Sequence, residues 1–275
     1  MSLMDAFMKG ASLAIGAYSA ALLRAVIGAV LVLPIWYGEG LRRPPRAVMR
    51  LHLERGIVSC FMALTFFYAL TKLPIAETIA ISFVAPLLTL YLARWLLGET
   101  IRRQAVWGSI LGFAGTLVIV SARLGRSDFD RDALLGLAAI LFSAMLYAYN
   151  FIVIRRQSQQ AAPAEIAFFH SFVTAIILGL AAPLLFVAPD ATILGHLGLA
   201  AALTVAGSMA IAWAYARAEA QLLVPMEYSG FLWASLFGWL FFREVVAPLT
   251  MLGTVLIVAG CWIAARRRPP EQTAV

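Results

Sequence analysis

Titratable side chains inside otherwise apolar segments are the residues of this sequence best suited to chemistry. Glu227, Arg24 and His170 each lie in such a segment. In a lipid bilayer an ionisable group costs about 2.5–3.5 kcal/mol at mid-helix, so it is a functional candidate by default. Glu227 lies about 13 Å into its segment at 1.5 Å per residue, two residues after Pro225, which donates no backbone hydrogen bond and loosens the helix. The acid is predicted to meet a cationic substrate or to carry a proton; the alternative is a structural pairing with Arg24 or His170.

The other candidate residues are predicted to bind different parts of a substrate. Arg24 can bind a substrate carboxylate through two parallel hydrogen bonds, or its side chain can extend to the outer headgroups. His170 can relay a proton or hydrogen-bond a substrate, or it is an interior histidine with satisfied hydrogen bonds. Tyr228 and Trp233, beside Glu227 in the sequence, predict an aromatic lining that suits a planar or cationic solute.

Composition indicates the class of protein that holds these groups. The 275 residues are 63% hydrophobic and 13% charged, with a mean hydropathy of +0.89, against about 45–50% and about 25% in a typical globular chain. The sequence therefore predicts an all-α integral membrane protein and excludes a soluble enzyme, a disordered protein and a disulfide scaffold. We interpret the net charge of +7 as charge in cytoplasmic loops, with no nucleic-acid partner. Cys60 and Cys261 both lie in apolar runs and are expected to be core residues.

Apolar runs bounded by charged residues predict the membrane spans, each near the ~20 residues that a bilayer requires. The runs are residues 10–38, 56–71, 78–93, 104–122, 133–154, 166–189, 191–216, 220–242 and 245–265. Placing the 38–55 loop and the carboxyl tail, residues 269–275, in the cytoplasm also places most of the arginines there, as the positive-inside rule requires. The segment from Met1 to Lys9 looks like the second half of a helix and is too short to span.

An internal repeat relates the two halves of the chain at an offset of 145 residues. The aligned pairs are Glu99 and Glu244, Gly108 and Gly253, Leu111 and Leu256, Ala114 and Ala259, and Gly115 and Gly260. Further upstream, at an offset of 146, Lys9 aligns with Arg155 and Arg24 with His170. The glycines fall on one helical face, which is typical of closely packed transmembrane helices.

The repeat unit has five helices, so the two copies cross the membrane in opposite directions. Such inverted repeats are typical of secondary transporters, with a substrate site near the midplane where the halves meet. The sequence thus predicts two inverted five-helix repeats, at residues 1–122 and 133–268, on a ten-helix plan whose first helix is incomplete in this chain. The true start is expected upstream of Met1.

The residues resemble the EamA branch of the drug/metabolite transporter superfamily along essentially the whole chain. The pattern is carried by two five-helix halves in which an apolar helix, then Gly-Glu or Arg-Glu, precedes a glycine-rich helix. It extends to Leu23-Arg24, to Pro86 before Trp95-Leu96-Leu97-Gly98-Glu99, and to Pro225-Met226-Glu227-Tyr228 before Trp233. The first half is similar to bacterial S-adenosylmethionine uptake carriers in Asp5 and Lys9, Leu33-Pro34, and Ile81-Ser82-Phe83 with Pro86. This resemblance implies that Ser82 lines the site and that Pro86, with Pro225, forms hinges.

The resemblance also implies the function. A secondary transporter would move a small organic metabolite across the bacterial inner membrane by alternating access, with S-adenosylmethionine or another cationic or aromatic metabolite as substrate. The alternatives are an exporter of amino acids or drugs by proton antiport and, in another class, a non-catalytic subunit of a lipid flippase. The expected partners are the substrate and the bilayer, for a monomer or homodimer with no cofactor or metal. An enzyme is not expected, because the sequence lacks a rhomboid-type serine motif, His-Glu-x-x-His and a Walker loop.

Overall fold

The structure, a computed structural model, describes residues 1–40, 43–97, 103–124, 131–217 and 229–265. Within these ranges the regular secondary structure is α-helical, and no β-strand occurs in them. The helices are α1 (Ser2–Gly38), α2 (Arg46–Lys72), α3 (Ile75–Ser82), α4 (Val84–Leu97), α5 (Arg103–Leu124), α6 (Arg131–Ser158), α7 (Pro163–Gly179), α8 (Ala182–Leu185), α9 (Ala191–Arg217), α10 (Ser229–Phe242) and α11 (Pro248–Ala265).

Several of these helices have the length and composition of membrane spans. Helices α1, α2, α6 and α9 are each long and apolar enough to cross a membrane. Most of α5, α10 and α11 and the whole of α7 form shorter apolar helices beside them. The predicted all-α membrane protein is therefore confirmed. Helix α2 begins at Arg46 rather than at the predicted residue 56, because Arg55 and His52 are buried and do not mark a surface boundary.

Helix α1 is broken at Gly16. This residue has φ 80° and ψ 152° inside an otherwise helical stretch, a conformation that is essentially restricted to glycine. The break divides α1 into a first segment, residues 2–15, and a second segment, residues 17–38. The predicted boundary after Lys9 is therefore wrong by about two turns, because the charge of Lys9 is buried in the protein and does not end the helix.

A second break separates α3 from α4. Helix α3 ends at Ser82 and α4 begins at Val84, with Phe83 between them. The predicted interruption of the fourth helix after Ser82 agrees with this break, and Pro86, from which it was predicted, lies in the first turn of α4. A proline is tolerated in a first turn because its missing N–H would have no partner there in any case.

The packing of the helices follows the repeat. Helix α2 packs on α6 as α9 packs on α1, and α4 packs on α6 as α10 packs on α1. In the repeat register the first segment of α1 corresponds to α6, its second segment to α7, α2 to α9, and α4 to α10. These two pairs of helix contacts are therefore equivalent in the repeat.

The crossing of α5 and α11 gives the direction of the repeat. A Cβ atom on Gly115 would lie 2.5 Å from the carbonyl oxygen of Gly253, and one on Gly253 would lie 2.6 Å from that of Gly115. Gly260 approaches the backbone of Gly108 and Gly112 in the same way. Residues late in α5 contact residues early in α11, and residues early in α5 contact residues late in α11, so the two helices are antiparallel. Because Gly108 aligns with Gly253 and Gly115 with Gly260, the repeat exchanges the Gly115–Gly253 contact with the Gly108–Gly260 contact. This two-fold relation confirms the inverted repeat and the predicted packing role of the glycines.

Candidate substrate site

Arg24 lies on the second segment of α1 and is buried between helices. The residue is 6% exposed, its Nη1 atom donates a 3.1 Å hydrogen bond to Thr204 Oγ1 on α9, and its guanidinium lies 5.3 Å from the ring centroid of Phe67 on α2. Thr204 Oγ1 donates in turn to the carbonyl of Ala200, so its lone pair is directed to the arginine. This burial contradicts the alternative in which the Arg24 side chain extends to the headgroups.

One donor of this guanidinium is unused. Nε of Arg24 is buried and has no hydrogen-bond partner among the residues that the structure describes. Arginine presents its N–H groups in a planar fork that matches the two oxygens of a carboxylate. The geometry around Arg24 thus leaves an edge of that fork available to a ligand.

His170 on α7 is the second predicted residue in this region. Its Nδ1 atom is buried and also lacks a partner within the described ranges. The charges of both Arg24 and Arg55 act on the imidazole, so Arg24 and His170 are brought into one electrostatic environment. Within the described ranges this favours a binding role for His170 over that of an interior histidine with satisfied hydrogen bonds, and the role stays a prediction.

Asp5 lies on the first segment of α1 and is 7% exposed. Its carboxylate and the guanidinium of Arg24 act on each other electrostatically; the α-amino group of Met1 is the other charge that acts on Asp5. In an unbroken helix, 19 residues would separate Asp5 from Arg24 by about 28 Å. The chain in fact folds back at Gly16, since Met1 lies against Gly207 and Phe7 against His196 on α9, on either side of Thr204, the acceptor of Arg24. In the sequence Asp5 was singled out only through a resemblance, since its proximity to Arg24 depends on this fold-back.

Two other predicted site residues, Trp233 and Ser82, have described contacts that do not include Arg24. Trp233 on α10 is 54% exposed and stacks on Phe237 at 6.2 Å between ring centroids. Ser82 Oγ donates a 2.9 Å hydrogen bond to the carbonyl of Thr78, one turn earlier in α3. Neither side chain has a described contact with Arg24 or His170, so their role in a common site stays a prediction.

The remaining predicted positions are only partly described. Glu227, Tyr228 and Pro225 lie outside the described residues, in the gap at 218–228. Pro86 lies in the described backbone of α4. The proposed roles of these four residues stay predictions.

A second polar cluster, which we call the Arg55 cluster, joins α2, α6 and α7. Arg55 donates to Asn150 Oδ1 at 3.3 Å and to Gln157 Oε1 at 3.1 Å. Gln157 Nε2 lies 2.5 Å from His52 Nδ1, and His52 Nε2 lies 2.8 Å from Glu165 Oε1. The members are His52, Arg55, Ser59, Asn150, Gln157 and Glu165. A sequence signal for it is the pair Asn150 and Gln157, which lie seven residues apart and therefore on one face of α6.

Ion pairs join the two halves at the opposite end of the bundle. Glu244 pairs with Lys9 through Oε1 and accepts a 2.8 Å hydrogen bond from the backbone N–H of Ile75 through Oε2. Lys9 also donates to the carbonyl oxygen of Leu73 at 2.8 Å. Lys72 pairs with Asp132 at 2.5 Å. These contacts tie α1 and α2 of the first half to α6 and the α10–α11 connection of the second.

Comparison with known proteins gives a family and several relatives. The EamA-like transporter family matches residues 1–121 and 134–266. A pseudopaline exporter of Pseudomonas aeruginosa is 29% identical over 273 residues, which cover 97% of this chain and 92% of that protein. An S-adenosylmethionine uptake transporter of Rickettsia prowazekii is 24% identical over 262 residues, 94% of this chain and 85% of that protein.

Two further similarities extend the comparison. A riboflavin transporter of Brucella anthropi is 27% identical over 241 residues, 86% of this chain and 83% of that protein. A solved crystal structure aligns with a TM-score of 0.65 at 22% identity, over 96% of this chain and 94% of its own. The crystal structure shows a shared fold, and the named relatives are transporters of different solutes.

Proposed function

Because the chain belongs to the EamA-like transporter family, we propose that it is a secondary carrier which moves a small metabolite bearing a carboxylate across the bacterial inner membrane by alternating access. Members of the family are transporters, so the protein is a multi-pass membrane transporter and not an enzyme. The proposed substrate class is that of S-adenosylmethionine and related amino-acid metabolites.

The observation that carries the proposal is the unused Nε donor of Arg24. A buried donor without a partner costs about 1–3 kcal/mol, and the native structure retains it at the contact between the halves. Arg24 belongs to the first half, whereas Thr204 and His170 belong to the second. In inverted-repeat carriers this is where a substrate site is expected. A substrate carboxylate would satisfy Nε, and His170 Nδ1 would accept or donate a further hydrogen bond.

The other predicted residues complete the proposed site. Glu227 and Tyr228 would face a cationic or aromatic part of the substrate, with Trp233 and Ser82 beside them. Pro86 and Pro225 would act as hinges in the fourth helices of the two halves. Sequence position and the family resemblance support these assignments.

The proposed topology places the carboxyl terminus in the cytoplasm, with repeats at residues 1–122 and 133–268. The Arg55 cluster would then lie toward the cytoplasm, and the pairs of Lys9 and Lys72 toward the outside. The support is the arginine content of the 38–55 loop. A carboxyl-terminal fusion to a reporter that is active only in the cytoplasm would be active, and an inactive fusion would reverse the orientation.

A second candidate direction is export by proton antiport. The similarity to the pseudopaline exporter, at 29% identity over nearly the whole chain, favours it over uptake. His170 would then bind the proton that is carried in exchange for the substrate. Imposing a pH gradient of either sign on proteoliposomes separates the mechanisms, since antiport moves substrate opposite to the proton flow, symport moves it with the proton flow, and a uniporter does not respond to the gradient.

Arg24→Gln tests the proposed site most directly. We expect counterflow of labelled S-adenosylmethionine to fall about ten- to a hundredfold, since a hydrogen bond to a charged group contributes about 1.5–3 kcal/mol and 1.4 kcal/mol is tenfold. The matched control is Arg217→Gln, because Arg217 is an exposed arginine that contacts Trp213 within its own helix. Undiminished transport by Arg24→Gln at normal expression would contradict the proposal.

Glu227→Gln tests the prediction made from the sequence. We expect normal membrane insertion with loss of transport, because the amide keeps the shape of the acid and removes its charge. Glu39→Gln is the control, since Glu39 is an exposed acid that follows α1. Transport equal to that of the unchanged protein would remove Glu227 from the mechanism.

A further inference from the structure

We infer that Asp5 and Arg24 are the two ends of one binding site for an amino-acid zwitterion, in which Arg24 binds the substrate carboxylate and Asp5 binds its ammonium group. This inference rests on the proposed function and names its substrate class. It also assigns a substrate contact to the first segment of α1.

The two charges face each other across the break in α1. They lie on different segments of α1, which both pack along α9 on either side of the break at Gly16, and both residues are almost fully buried. The second segment contributes a guanidinium and the first contributes a carboxylate. A ligand between the two segments would therefore meet opposite charges on its two sides.

These opposite charges do not satisfy each other. Each acts on the other electrostatically, yet no ion pair or side-chain hydrogen bond joins Asp5 to any residue in the described part of the chain. Nε of Arg24 is also without a partner there. Buried charges are normally paired or hydrogen-bonded because desolvation is costly. A zwitterion supplies the missing partner to both groups at once.

A third polar group lies on the same face as Asp5. Ser12 is two turns further along the first segment, and its Oγ is buried without a hydrogen-bond partner in the described ranges. Residues seven apart share a helical face. Because seven residues span about 10.5 Å along the helix, Ser12 would provide a hydroxyl to a part of the ligand away from its ammonium group.

The experiment compares two ligands that differ in a single group. S-adenosylmethionine carries the amino-acid zwitterion, and decarboxylated S-adenosylmethionine keeps the amine and lacks the carboxylate. Binding of each, and of riboflavin as a solute without either charge, would be measured on the purified protein in nanodiscs. The variants are Asp5→Asn, Arg24→Gln and the double variant, with Glu39→Gln as the exposed control.

We expect the unchanged protein to bind S-adenosylmethionine more tightly than its decarboxylated form. Arg24→Gln should abolish that preference. Asp5→Asn should weaken the binding of both S-adenosyl ligands by at least about tenfold, because both carry the amine. It should leave any binding of riboflavin unchanged. If Asp5 and Arg24 had only a structural role, neither variant would change the ratio of the affinities for S-adenosylmethionine and its decarboxylated form.

The other outcomes separate the inference from the function on which it rests. If Asp5→Asn binds S-adenosylmethionine normally while Arg24→Gln does not, the zwitterion site is overturned and the proposed carboxylate carrier stands. If both single variants lose thermal stability and the double variant regains it, the pair is structural and the inference fails. If the unchanged protein binds neither S-adenosyl compound, the proposed substrate class fails together with the site.

Discussion

Among the residues that the structure describes, two arginines are deeply buried, and their surroundings differ. Arg55, 5% exposed, donates to Asn150 and Gln157, and the Arg55 cluster continues through His52 to Glu165. Arg24, 6% exposed, has one described side-chain acceptor, and its Nε has no partner in the described ranges. Burial of a charge therefore does not by itself indicate a binding site. The feature that distinguishes Arg24 is the incomplete set of partners.

The repeat places the surroundings of Arg55 and those of Arg24 on corresponding pairs of helices. Ser59 and Asn150 are hydrogen-bonded to each other at 3.4 Å where α2 packs on α6. The corresponding helix pair in the repeat is α9 on α1, which carries Thr204 and Asp5. A neutral amide thus completes the hydrogen-bond network of one helix pair, whereas the other pair carries a buried carboxylate near Arg24. The two halves use corresponding helix pairs for stability in one case and, as we propose, for substrate in the other.

The largest expected effect is a loss of stability when the Arg55 cluster is disrupted. Arg55→Gln removes the charged donor from two amide oxygens, so we expect the free energy of unfolding to fall by about 3–6 kcal/mol, at about 1.5–3 kcal/mol for each bond. Thermal unfolding of the purified protein in mild detergent would measure it. Arg24→Gln, which breaks one such bond, should be clearly less destabilised. Equal losses in the two variants would remove the distinction between the arginines.

A smaller effect is expected at the break in α1. Gly16→Ala places a side chain in a backbone conformation that is essentially restricted to glycine, at a cost of about 1–3 kcal/mol. No atom lies within 4 Å of the position that its Cβ would occupy, so the loss would come from the backbone alone. Gly198→Ala is the matched control, since Gly198 has equal space and lies within α9. A stability equal to that of the control would show that the fold-back does not depend on Gly16.

The smallest effect is expected at the acceptor of Arg24. Thr204→Val keeps the shape of the side chain and removes the hydroxyl that accepts a hydrogen bond from Arg24 Nη1 and donates one to the carbonyl of Ala200. We expect the KM for transport to rise several-fold with little change in thermal stability. Thr254→Val is the control, since Thr254 is also buried and donates to the carbonyl one turn earlier. A change in stability without a change in KM would place Thr204 among the structural residues.

Much of the architecture was predictable from local patterns. Long apolar runs are sufficient to predict membrane helices, because the bilayer core sets their length and polarity. The glycine register of residues 108–115 and 253–260 predicted closely packed helix faces, since only small residues let two backbones approach so closely; that these two faces meet each other is seen only in the structure. The breaks were predictable in part. The interruption after Ser82 was predicted from Pro86, whereas the break at Gly16 was not predicted.

The candidate site was predictable only in part. Arg24 and His170 were found because a titratable group in an apolar segment is exceptional in any chain. Asp5 was assigned no role of its own, because it lies near the end of a short apolar stretch and far from Arg24 in sequence. The Arg55 cluster was missed because Arg55 was interpreted as the boundary of a span, although α2 continues past it and buries it.

The sequence by itself determined the class of the protein, its helices, the inverted repeat and the buried titratable residues, because these follow from composition and from spacing along the chain. Only the tertiary structure decided which of those residues have partners. The fold-back at Gly16 brings Asp5 toward Arg24, and the packing of α2 on α6 surrounds Arg55 with acceptors. Hydrogen-bond satisfaction depends on distances of a few ångströms between residues far apart in sequence. A linear pattern cannot contain that information.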